Sequence, residues 1–388
     1  MVGIDYSIAT IAMREWFSFT KAGVQQAVQD IAQQSGVLGA VLLSTCNRTE
    51  LYLSLEETAN ADPGQLLCAA AGHSHTEVAL VTRDGEYAIR HLMEVAAGLK
   101  SQILGEDQIL AQVKTAAELA REAGTCDSVL STLFRTAVSC GKRIKTGGRL
   151  TGVATSAAHL AVKAAQVRMG TLTGKRALVI GNGEMGRLAA SLLRDAGCSV
   201  SVTLRSYHHG ETVVPAGCAV TPYEERYGAI AGVDLVVSAT TSPHYTVLQE
   251  EFEALPTRPS LLIDLSIPRD IQPSLGEVPD VCLLNVDDLG HGLGADAAAL
   301  QRAEQAIAEY LQRFHQWATY RESLPAMGEV KQVLRSRIST YLEEDMDSET
   351  VMDLTIEKVV DLLAGSMTEA FNTRALRRCS ERIRVHTR

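Results

Sequence analysis

The sequence predicts a multidomain α/β protein of 388 residues. Strand-like and helix-like runs alternate in its N-terminal part, a glycine-rich loop separates a strand from a helix in its middle part, and its C-terminal part has helical spacing. A chain of this length divides into two or three domains. We expect an N-terminal α+β domain over 1–155, a parallel-sheet domain over 156–290, a long connecting helix over 291–325 and a C-terminal helical domain over 326–388.

Composition narrows the class of protein. No apolar run approaches the roughly 20 residues that a membrane helix needs, and no signal peptide is recognisable, so we expect a cytoplasmic protein without a membrane partner. The eight cysteines include no C-x-x-C pair, which favours free thiols over disulfides or a zinc site. The net charge of −10 argues against general DNA binding. Basic clusters around Arg143 and Arg378 are either solvated helix faces or contacts to one structured RNA.

The N-terminal domain is predicted from alternating patterns. Residues 2–9, 39–44 and 49–54 have strand character, and residues 21–34 and 86–100 have helical spacing. Helical segments follow residue 106, and a helix over 156–167 leads into the next domain. We therefore expect a small sheet covered by helices.

Cys46 lies between two of these strands, in the run Ser44-Thr45-Cys46-Asn47-Arg48-Thr49-Glu50. A cysteine on a turn, with a cation two residues away, is suited to nucleophilic attack on a carbonyl or anionic substrate. The alternative is a small half-buried core thiol.

The middle domain carries the clearest motif. Residues 176–180 form an apolar strand that leads into a G-x-G-x-x-G loop and a helix, and further buried-strand patterns occur at 200–204, 234–239, 261–265 and 281–285. This order predicts a Rossmann-type dinucleotide-binding domain, in which the glycines let the backbone approach the pyrophosphate at the helix N-terminus. The predicted cofactor-binding loop consists of Gly181, Asn182, Gly183, Glu184, Met185 and Gly186.

The end of the second strand indicates which dinucleotide is bound. The acidic residue expected for an NAD ribose is absent, and Arg205 and Ser206 stand there instead. Both side chains suit a 2′-phosphate, so we expect NADPH. The pair His208 and His209 lacks spaced metal ligands and is interpreted as part of an exposed loop, so no metal site is predicted.

The C-terminal segments have unpartnered apolar stripes. From Leu300 to Trp317 the apolar residues recur at spacings of three and four, which predicts the connecting helix. Beyond Pro325 the helical pattern resumes with Val330, Leu334, Ile338, Leu362 and Phe371. So short a segment cannot bury these positions alone, which predicts a homodimer.

Several motifs together resemble the glutamyl-tRNA reductase family along nearly the whole chain. They are Thr45-Cys46-Asn47-Arg48, His91-Leu92, the segment 98–109 around Ser101 and Glu106, and Asp264-Leu265-Ser266-Ile267-Pro268-Arg269-Asp270. The resemblance implies NADPH-dependent reduction of glutamyl-tRNA to glutamate-1-semialdehyde, which opens the C5 route to tetrapyrroles. It also implies a C-terminal dimerisation domain and a partnership with the aminomutase that consumes the labile aldehyde.

The same resemblance implies residue roles. Cys46 would form a thioester with the substrate, and His91 would assist proton handling or polarise the carbonyl. Arg48 would hold the glutamate carboxylate through its planar fork, the alternative being a surface salt bridge to Glu50 or Glu56. The other substrate-binding candidates are Thr45, Asn47, Ser101, Glu106, Gln108 and Gln112. For Ser101, Glu106 and Gln108, and for Gly105 beside them, the alternative role is to cap helices and shape turns. Arg269 is either a ligand-binding residue or an ion-pair partner of Asp264 or Asp270.

The chain also departs from the family pattern near the substrate pocket. Family members have Gly and an apolar residue followed by Asn-His-Lys-Thr-Ala-Pro, whereas in this chain Gly3-Ile4 is followed by Asp5-Tyr6-Ser7. In addition, Lys100 replaces an aspartate of the family. Two rival functions therefore stay open. One is reduction of another aminoacyl-tRNA or thioester, and the other is a non-catalytic paralogue that binds charged tRNA or haem.

Overall fold

The computed structural model describes residues 1–73, 79–106, 108–147, 156–205, 213–289, 297–339 and 347–366. Met1–Phe314 forms one compact unit, and the described residues from His315 onward form a second. Among the helices of these ranges, none is both long and apolar enough to traverse a lipid bilayer.

A four-stranded antiparallel sheet organises the N-terminal domain, with strand order β2-β3-β1-β4. Its strands are β1 (Val2–Asp5), β2 (Val37–Ser44), β3 (Arg48–Leu55) and β4 (Val81–Thr82). The helices are α1 (Ile11–Trp16), α2 (Lys21–Ala32), α3 (Pro63–Ala70), α4 (Gly85–Ala96), α5 (Gln108–Glu122) and α6 (Ser128–Thr146). Helices α2 and α5 both pack on the face of β2 that carries Ala40 and Leu42. Val41 and Leu43 on the other face are buried as well, which explains why β2 is almost continuously apolar rather than alternating. The three predicted strands are therefore present, and β4 is an additional short edge strand.

The second domain is built on a six-stranded parallel sheet with strand order β10-β9-β8-β5-β6-β7. Its strands are β5 (Arg176–Ile180), β6 (Ser199–Leu204), β7 (Ala219–Pro222), β8 (Leu235–Ser238), β9 (Leu261–Asp264) and β10 (Cys282–Asn285). Helices α7 (Ala157–Met169), α8 (Glu184–Asp195), α9 (Arg226–Ile230) and α10 (Gln249–Glu253) belong to the same domain. Counted along the domain, this is the Rossmann order, and the strand order reverses between β5 and β8. The predicted Rossmann fold is confirmed.

The N-terminal domain packs directly on the nucleotide-binding domain. Ile11 and Ile103 are buried in the same hydrophobic cluster as Val179 and Val237 of the parallel sheet. Burying such side chains stabilises a fixed arrangement of the two domains within the first compact unit.

Two helices, α11 (Ala297–Ile338) and α12 (Ser348–Ser366), make up the remaining described part. Helix α11 continues through Pro325, so no helix ends at the residue where we predicted the boundary between the connecting helix and the C-terminal domain. Proline removes one backbone hydrogen bond and tends to kink a helix, but a helix this long keeps its bonds on both sides. Our boundary between a connecting helix and a C-terminal domain at 325 stays a prediction.

Candidate active site

The Cys46 turn is held by hydrogen bonds of its own backbone. Thr45 Oγ1 accepts from the amides of Asn47 and Arg48, both at 3.2 Å, and the Thr45 amide donates to the Arg48 carbonyl at 2.8 Å. The Tyr6 amide donates to the Asn47 carbonyl at 3.0 Å. Cys46 is half-buried and its thiol is free. The turn therefore fixes the Cys46 backbone and leaves its side chain partly accessible.

Strand β3 places three polar side chains on one buried face immediately after this turn. Arg48 Nη1 donates to Glu50 Oε1 at 2.7 Å, and the Tyr52 hydroxyl donates to Glu50 Oε2 at 2.7 Å. Residues two apart on a strand share a face, which is why Arg48, Glu50 and Tyr52 meet. Gly3 lies opposite Glu50, where a Cβ would approach Glu50 Cγ to 2.8 Å. Glycine at position 3 thus makes room for the carboxylate.

Arg48 is only 2% exposed. Besides Glu50, it donates through Nη2 to the Lys100 carbonyl. Burial alone would lower the pKa of Arg48, but the neighbouring Glu50 carboxylate raises it above its ordinary value. The predicted alternative, an ion pair with Glu50, is present but buried rather than at the surface. Arg48 is occupied in this way because a buried cation requires a counter-charge within the protein, and binding of a substrate carboxylate by Arg48 stays a prediction.

Helix α4 brings His91 to the same carboxylate. His91 Nε2 lies 2.8 Å from Glu50 Oε1, and the ring is 3% exposed. Its Nδ1 is buried and has no hydrogen-bond partner among the residues that the structure describes. With Nε2–H donating to Glu50, Nδ1 is left as an acceptor that can take a proton.

The surroundings of Cys46 favour the protonated form of its thiol. Burial and the nearby Glu106 carboxylate raise the pKa of Cys46 to about 12, and the opposing effects of Arg14 and Arg48 are smaller. Because the thiolate is the nucleophile, reaction needs either a proton acceptor or a substrate that changes these surroundings.

The loop after α4 carries further predicted substrate-binding residues. The Gly105 amide donates to the Gly98 carbonyl at 3.0 Å, which closes the loop on itself, and Lys145 Nζ donates to the Glu106 carbonyl at 2.7 Å. Ser101 and Glu106 are half-buried on this loop, and Gln108 and Gln112 are half-buried on the first turns of α5. Arg48 ties the loop to the Cys46 turn through the Lys100 carbonyl. Direct substrate contacts by these four residues stay a prediction.

The three glycines of the cofactor loop differ in what surrounds them. Gly181 has φ +105°, and a Cβ there would lie 2.4 Å from the Ala239 carbonyl oxygen. A Cβ on Gly186 would lie 2.1 Å from the Gly181 carbonyl oxygen, whereas a Cβ on Gly183 would meet no atom within 4 Å. The first and third glycines thus permit the tight turn and close helix packing, and the second faces open space.

This space fits a dinucleotide pyrophosphate. Gly183 is the N-cap of α8 and makes no side-chain capping bond, so α8 begins without a side chain covering its first amides. Such helix N-termini bind phosphate through backbone N–H groups and the helix dipole. Asn182 lies beside them, and its Oδ1 is buried without a partner among the described residues. Glu184 and Met185 form the first turn of α8.

We expect Gly183→Ala to fold normally and to bind dinucleotide poorly. Its φ of −72° is accessible to alanine, so the free energy of unfolding should change by less than about 1 kcal/mol. The new Cβ occupies the space where pyrophosphate approaches, and the dissociation constant should rise about tenfold or more. Fluorescence titration with NADPH measures this. Gly228→Ala is the control, since a Cβ there also meets no atom; equal binding by both variants would place the pyrophosphate elsewhere.

Arg205 follows β6 directly and is exposed. Its guanidinium carbon lies 4.7 Å from the ring centroid of Tyr223, an attractive cation–π geometry. The stacking holds a cation at the carboxyl edge of the sheet, where open α/β sheets bind ligands. Ser206 and the pair His208 and His209 lie outside the described residues.

The segment 264–270 forms a buried carboxylate pair beside the point where the strand order reverses. Burial and the neighbouring Asp270 raise the pKa of Asp264 to about 8. Asp270 accepts from Ser238 Oγ at 2.7 Å and from the Thr240 amide at 2.8 Å, which ties the loop after β8 to β9. Arg269 pairs with neither aspartate as its main partner. It binds Glu15 of α1, with Nη2 2.6 Å from Oε2. Of the two roles left open for Arg269, the ion pair with Asp264 or Asp270 is therefore not formed among the described residues, because the N-terminal domain supplies the counter-charge.

Sequence reasoning underestimated one contributor to this site and missed another. Glu50, considered only as a surface partner of Arg48, organises Arg48, Tyr52 and His91. Arg14 of α1, which was missed, contacts the Cys46 turn. An acidic residue inside a strand of buried neighbours was a usable signal for Glu50, because buried carboxylates require partners. Arg14 had no comparable signal, since its contacts lie on segments distant in sequence.

Known proteins resemble the chain at this site and beyond it. The family profile described as "Glutamyl-tRNAGlu reductase, N-terminal domain" matches residues 2–147, and that described as "Shikimate / quinate 5-dehydrogenase" matches residues 163–291. Glutamyl-tRNA reductase from Acetivibrio thermocellus is 42% identical over 328 residues, which cover 84% of this chain and 98% of that protein. The same-named protein from Alkaliphilus oremlandii is 41% identical over 332 residues, with the same coverage of 84% and 98%.

A solved structure, the glutamyl-tRNA reductase from Methanopyrus kandleri, is 30% identical and covers 98% of each chain with a TM-score of 0.47. The identity to the two reductases above extends over nearly their whole length and includes both domains of the first compact unit. This chain therefore belongs to the glutamyl-tRNA reductase family.

Proposed function

We propose that this protein reduces glutamyl-tRNA to glutamate-1-semialdehyde with NADPH, releasing tRNA, through a thioester on Cys46. One observation supports this above the others. The Cys46 turn and the glycine loop belong to one compact unit, and Ile11 and Ile103 of the N-terminal domain are buried against the parallel sheet. A nucleophile and a dinucleotide site held on rigid, packed domains suit a reaction that joins acyl transfer to hydride transfer.

In the first step the Cys46 sulfur attacks the ester carbonyl that links the amino acid to the tRNA. The new C–S bond forms, the bond to the ribose oxygen breaks, and the thiol proton ends on that oxygen. His91 Nδ1, an acceptor without a described partner, is the group we propose for taking and returning this proton. Glu50 holds the ring from the opposite side at 2.8 Å, which fixes the tautomer.

In the second step the thioester is reduced. When bound, the dinucleotide would supply a hydride to the thioester carbonyl. The C–S bond then breaks, the aldehyde leaves, and the Cys46 thiolate takes up a proton from solvent, because the original thiol proton has left with the tRNA. Hydride transfer must outpace attack by water, since hydrolysis of the thioester would give free glutamate instead.

We also propose that Arg48 binds the free carboxylate of the substrate. In that role Nη2 exchanges the Lys100 carbonyl for the carboxylate, and Nη1 keeps Glu50. Ser101 and Glu106 on the adjoining loop would then contact the remainder of the amino acid. Lys100 itself is exposed, and its Nζ lies 3.3 Å from Glu94 Oε2.

A panel of individually charged tRNAs tests the substrate. Purified protein is incubated with NADPH and each aminoacyl-tRNA, and aldehyde formation is measured. We expect product from glutamyl-tRNA alone. Aldehyde from another member of the panel would favour the rival reductase, and tRNA binding without reduction of any member would favour the regulatory paralogue.

Cofactor selectivity gives a prediction at Arg205. Arg205→Ala should raise the Michaelis constant for NADPH about tenfold or more and leave that for NADH nearly unchanged, because only NADPH has a 2′-phosphate. Steady-state kinetics with both cofactors measures this. Arg176→Ala removes one exposed cation from the other end of the sheet, where the Arg176 side chain is 63% exposed, and should change neither constant. An equal rise for both cofactors in Arg205→Ala would show that Arg205 does not bind the 2′-phosphate.

We propose a homodimer formed through the C-terminal helices. On α12, Met352, Ile356 and Val360 recur every fourth residue and are 58%, 57% and 49% exposed. On α11, Val330 and Val333 are 45% and 61% exposed. Of the predicted stripe, Leu334 is half-buried and Ile338 buried, and Phe371 lies outside the described residues. An exposed apolar stripe of this kind favours burial against a second copy.

Charge on this stripe should separate the copies. We expect Ile356→Glu to sediment as a monomer at micromolar concentration, because a carboxylate buried at an apolar interface costs several kcal/mol. Gln332→Glu adds one negative charge at an exposed position two residues from Val330, on the opposite side of α11, and should leave the dimer intact. A dimeric Ile356→Glu variant in sedimentation velocity would place the assembly surface elsewhere.

The aldehyde product is labile, which motivates a further proposed partner. Direct transfer to glutamate-1-semialdehyde aminomutase would limit its exposure to water. We propose a cytoplasmic location for both enzymes.

A further inference from the structure

Arg14 connects the Cys46 turn to the nucleotide-binding domain. Its side chain on α1 is 2% exposed. Nη1 donates to Asn47 Oδ1 at 3.2 Å, and Nη2 donates to both carboxylate oxygens of Asp287, at 2.8 and 2.7 Å. Asn47 follows the nucleophile directly in sequence, and Asp287 follows β10 of the parallel sheet. One guanidinium therefore bridges the two domains at the reacting centre.

Asp287 is itself held in place. Asn285 Oδ1 accepts from the Asp287 amide at 2.9 Å, and Asp288 accepts from the Asn285 amide at 2.9 Å. This turn at the end of β10 fixes the direction of the Asp287 side chain. Arg14 thus joins the Asp287 turn of the nucleotide-binding domain to the Cys46 turn of the N-terminal domain.

A buried guanidinium at this place is costly unless its partners stay in position. Removing one partner of a buried ion pair typically costs several kcal/mol, because the remaining charge has lost its water. Arg14 Nε is buried with no partner among the described residues, so Asn47 and Asp287 are its principal anchors. Any movement of the Cys46 turn away from the nucleotide-binding domain would break one of them.

We propose that Arg14 is a positioning residue, which clamps the Cys46 turn to the nucleotide-binding domain so that the thioester faces the hydride donor. Arg14 acts through Asn47 and need not touch the substrate. A forked, planar guanidinium is suited to this role because its two nitrogens bind separate partners in fixed directions.

The charge of Arg14 also acts on the thiol. Burial and Glu106 raise the pKa of Cys46, and Arg14 is the first of the groups that oppose them, ahead of Arg48. Arg14 therefore favours the Cys46 thiolate in addition to aligning its turn. The two effects are separable, since charge alone assists ionisation and the fork is needed for alignment.

A plain domain latch is the alternative explanation, and a neighbouring ion pair provides a matched control. Glu15, the next residue on α1, accepts from Arg269 Nε at 2.8 Å and from its backbone amide at 2.8 Å. This pair also joins the two domains, but its contacts are with Arg269 rather than with the Cys46 turn. If both pairs only hold the domains together, disrupting either one should slow the reaction equally. If Arg14 positions the Cys46 turn, disrupting its contacts should slow the reaction and disrupting the Glu15–Arg269 pair should not.

The first arm of the test needs no substrate. The rate of Cys46 alkylation by iodoacetamide is followed against pH, with mass spectrometry of the Cys46 peptide to separate it from the other thiols. We expect Arg14→Met to slow alkylation about tenfold at a given pH. Arg14→Lys keeps the charge and should stay within about twofold of the parent. Asp287→Asn removes a negative charge from beside Arg14, so alkylation should be unchanged or faster.

The second arm rests on the proposed reduction of glutamyl-tRNA. Single-turnover oxidation of NADPH at saturating substrate should fall about tenfold or more in Arg14→Met, Arg14→Lys and Asp287→Asn, since misalignment slows the chemical step. Glu15→Gln should stay within about threefold. Circular dichroism and urea unfolding of each variant identify any that does not fold. A parent protein that reduces no substrate would defeat the proposed function and leave the alkylation arm informative.

Two results would overturn the proposal. One is a Glu15→Gln variant as slow in reduction as Arg14→Met, which would reduce the Arg14 bridge to a latch. The other is an Arg14→Lys variant with normal single-turnover rates, which would show that no fork is needed. The proposal would be supported if Asp287→Asn reduces the substrate slowly but is alkylated normally, and if Arg14→Lys is alkylated at close to the parent rate.

Discussion

Cys46→Ser should lose aldehyde formation by about three orders of magnitude or more, because a neutral hydroxyl is a far weaker nucleophile than a thiolate and gives an ester that is harder to reduce. The substitution removes no hydrogen bond of the turn, which is held by the side chain of Thr45 and by backbone groups. Dinucleotide affinity and the free energy of unfolding should therefore be unchanged. NADPH oxidation with glutamyl-tRNA and direct detection of the aldehyde measure the loss.

Cys126→Ser is the matched control for this variant. Cys126 is also a half-buried free thiol, but it lies before α6, away from the turn. Its serine variant should retain activity within about twofold. Comparable activity in Cys46→Ser and Cys126→Ser would exclude a thioester on Cys46.

Glu50→Gln should destabilise the protein by about 3–5 kcal/mol, the usual cost of removing one partner from a buried ion pair. Arg48 would keep its charge at 2% exposure and lose its counter-ion, and His91 would lose the carboxylate that orients it. Urea unfolding measures the change. Tyr52→Phe removes only the hydrogen bond to Glu50 Oε2 and should cost about 1 kcal/mol. Equal effects of the two substitutions would mean that the ion pair contributes little.

The same network predicts a pH dependence of stability. Burial would raise the pKa of Glu50, but Arg48 and the hydrogen bonds from His91 and Tyr52 outweigh it and hold the pKa at about 2. A carboxyl with a folded-state pKa below its ordinary value binds its proton more readily when unfolded. Its contribution is therefore present above about pH 4.5, and it is lost as the pH falls towards 2. Glu50→Gln should abolish this part of the acid dependence.

Patterns within one segment predicted much of this structure. The apolar run before Cys46 became β2, and the strand, glycine loop and helix from residue 176 onward became β5 and α8. Five of the six parallel strands follow predicted buried runs, since strands covered on both faces are almost wholly apolar. The exception, β7, is an edge strand with exposed residues, so it lacks that signal.

The chemical environment of the site was less accessible from sequence. Cys46, Arg48 and His91 stood out as residue types, but the burial of Arg48 depends on strand pairing and on the Lys100 carbonyl. The contact between Arg14 and Asp287 joins residues 273 positions apart. No local periodicity encodes such a pair, because it arises only when two separately folded domains pack together.

The most direct measurement is mass spectrometry of the acyl-enzyme. The protein is incubated with glutamyl-tRNA without a dinucleotide, quenched in acid and digested, and the peptide that contains Cys46 is examined. We expect a glutamyl adduct on the Cys46 sulfur, its loss on adding NADPH, and the appearance of aldehyde in equal amount. Aldehyde formation with an unmodified Cys46 peptide, or an adduct on another cysteine, would contradict the Cys46 thioester.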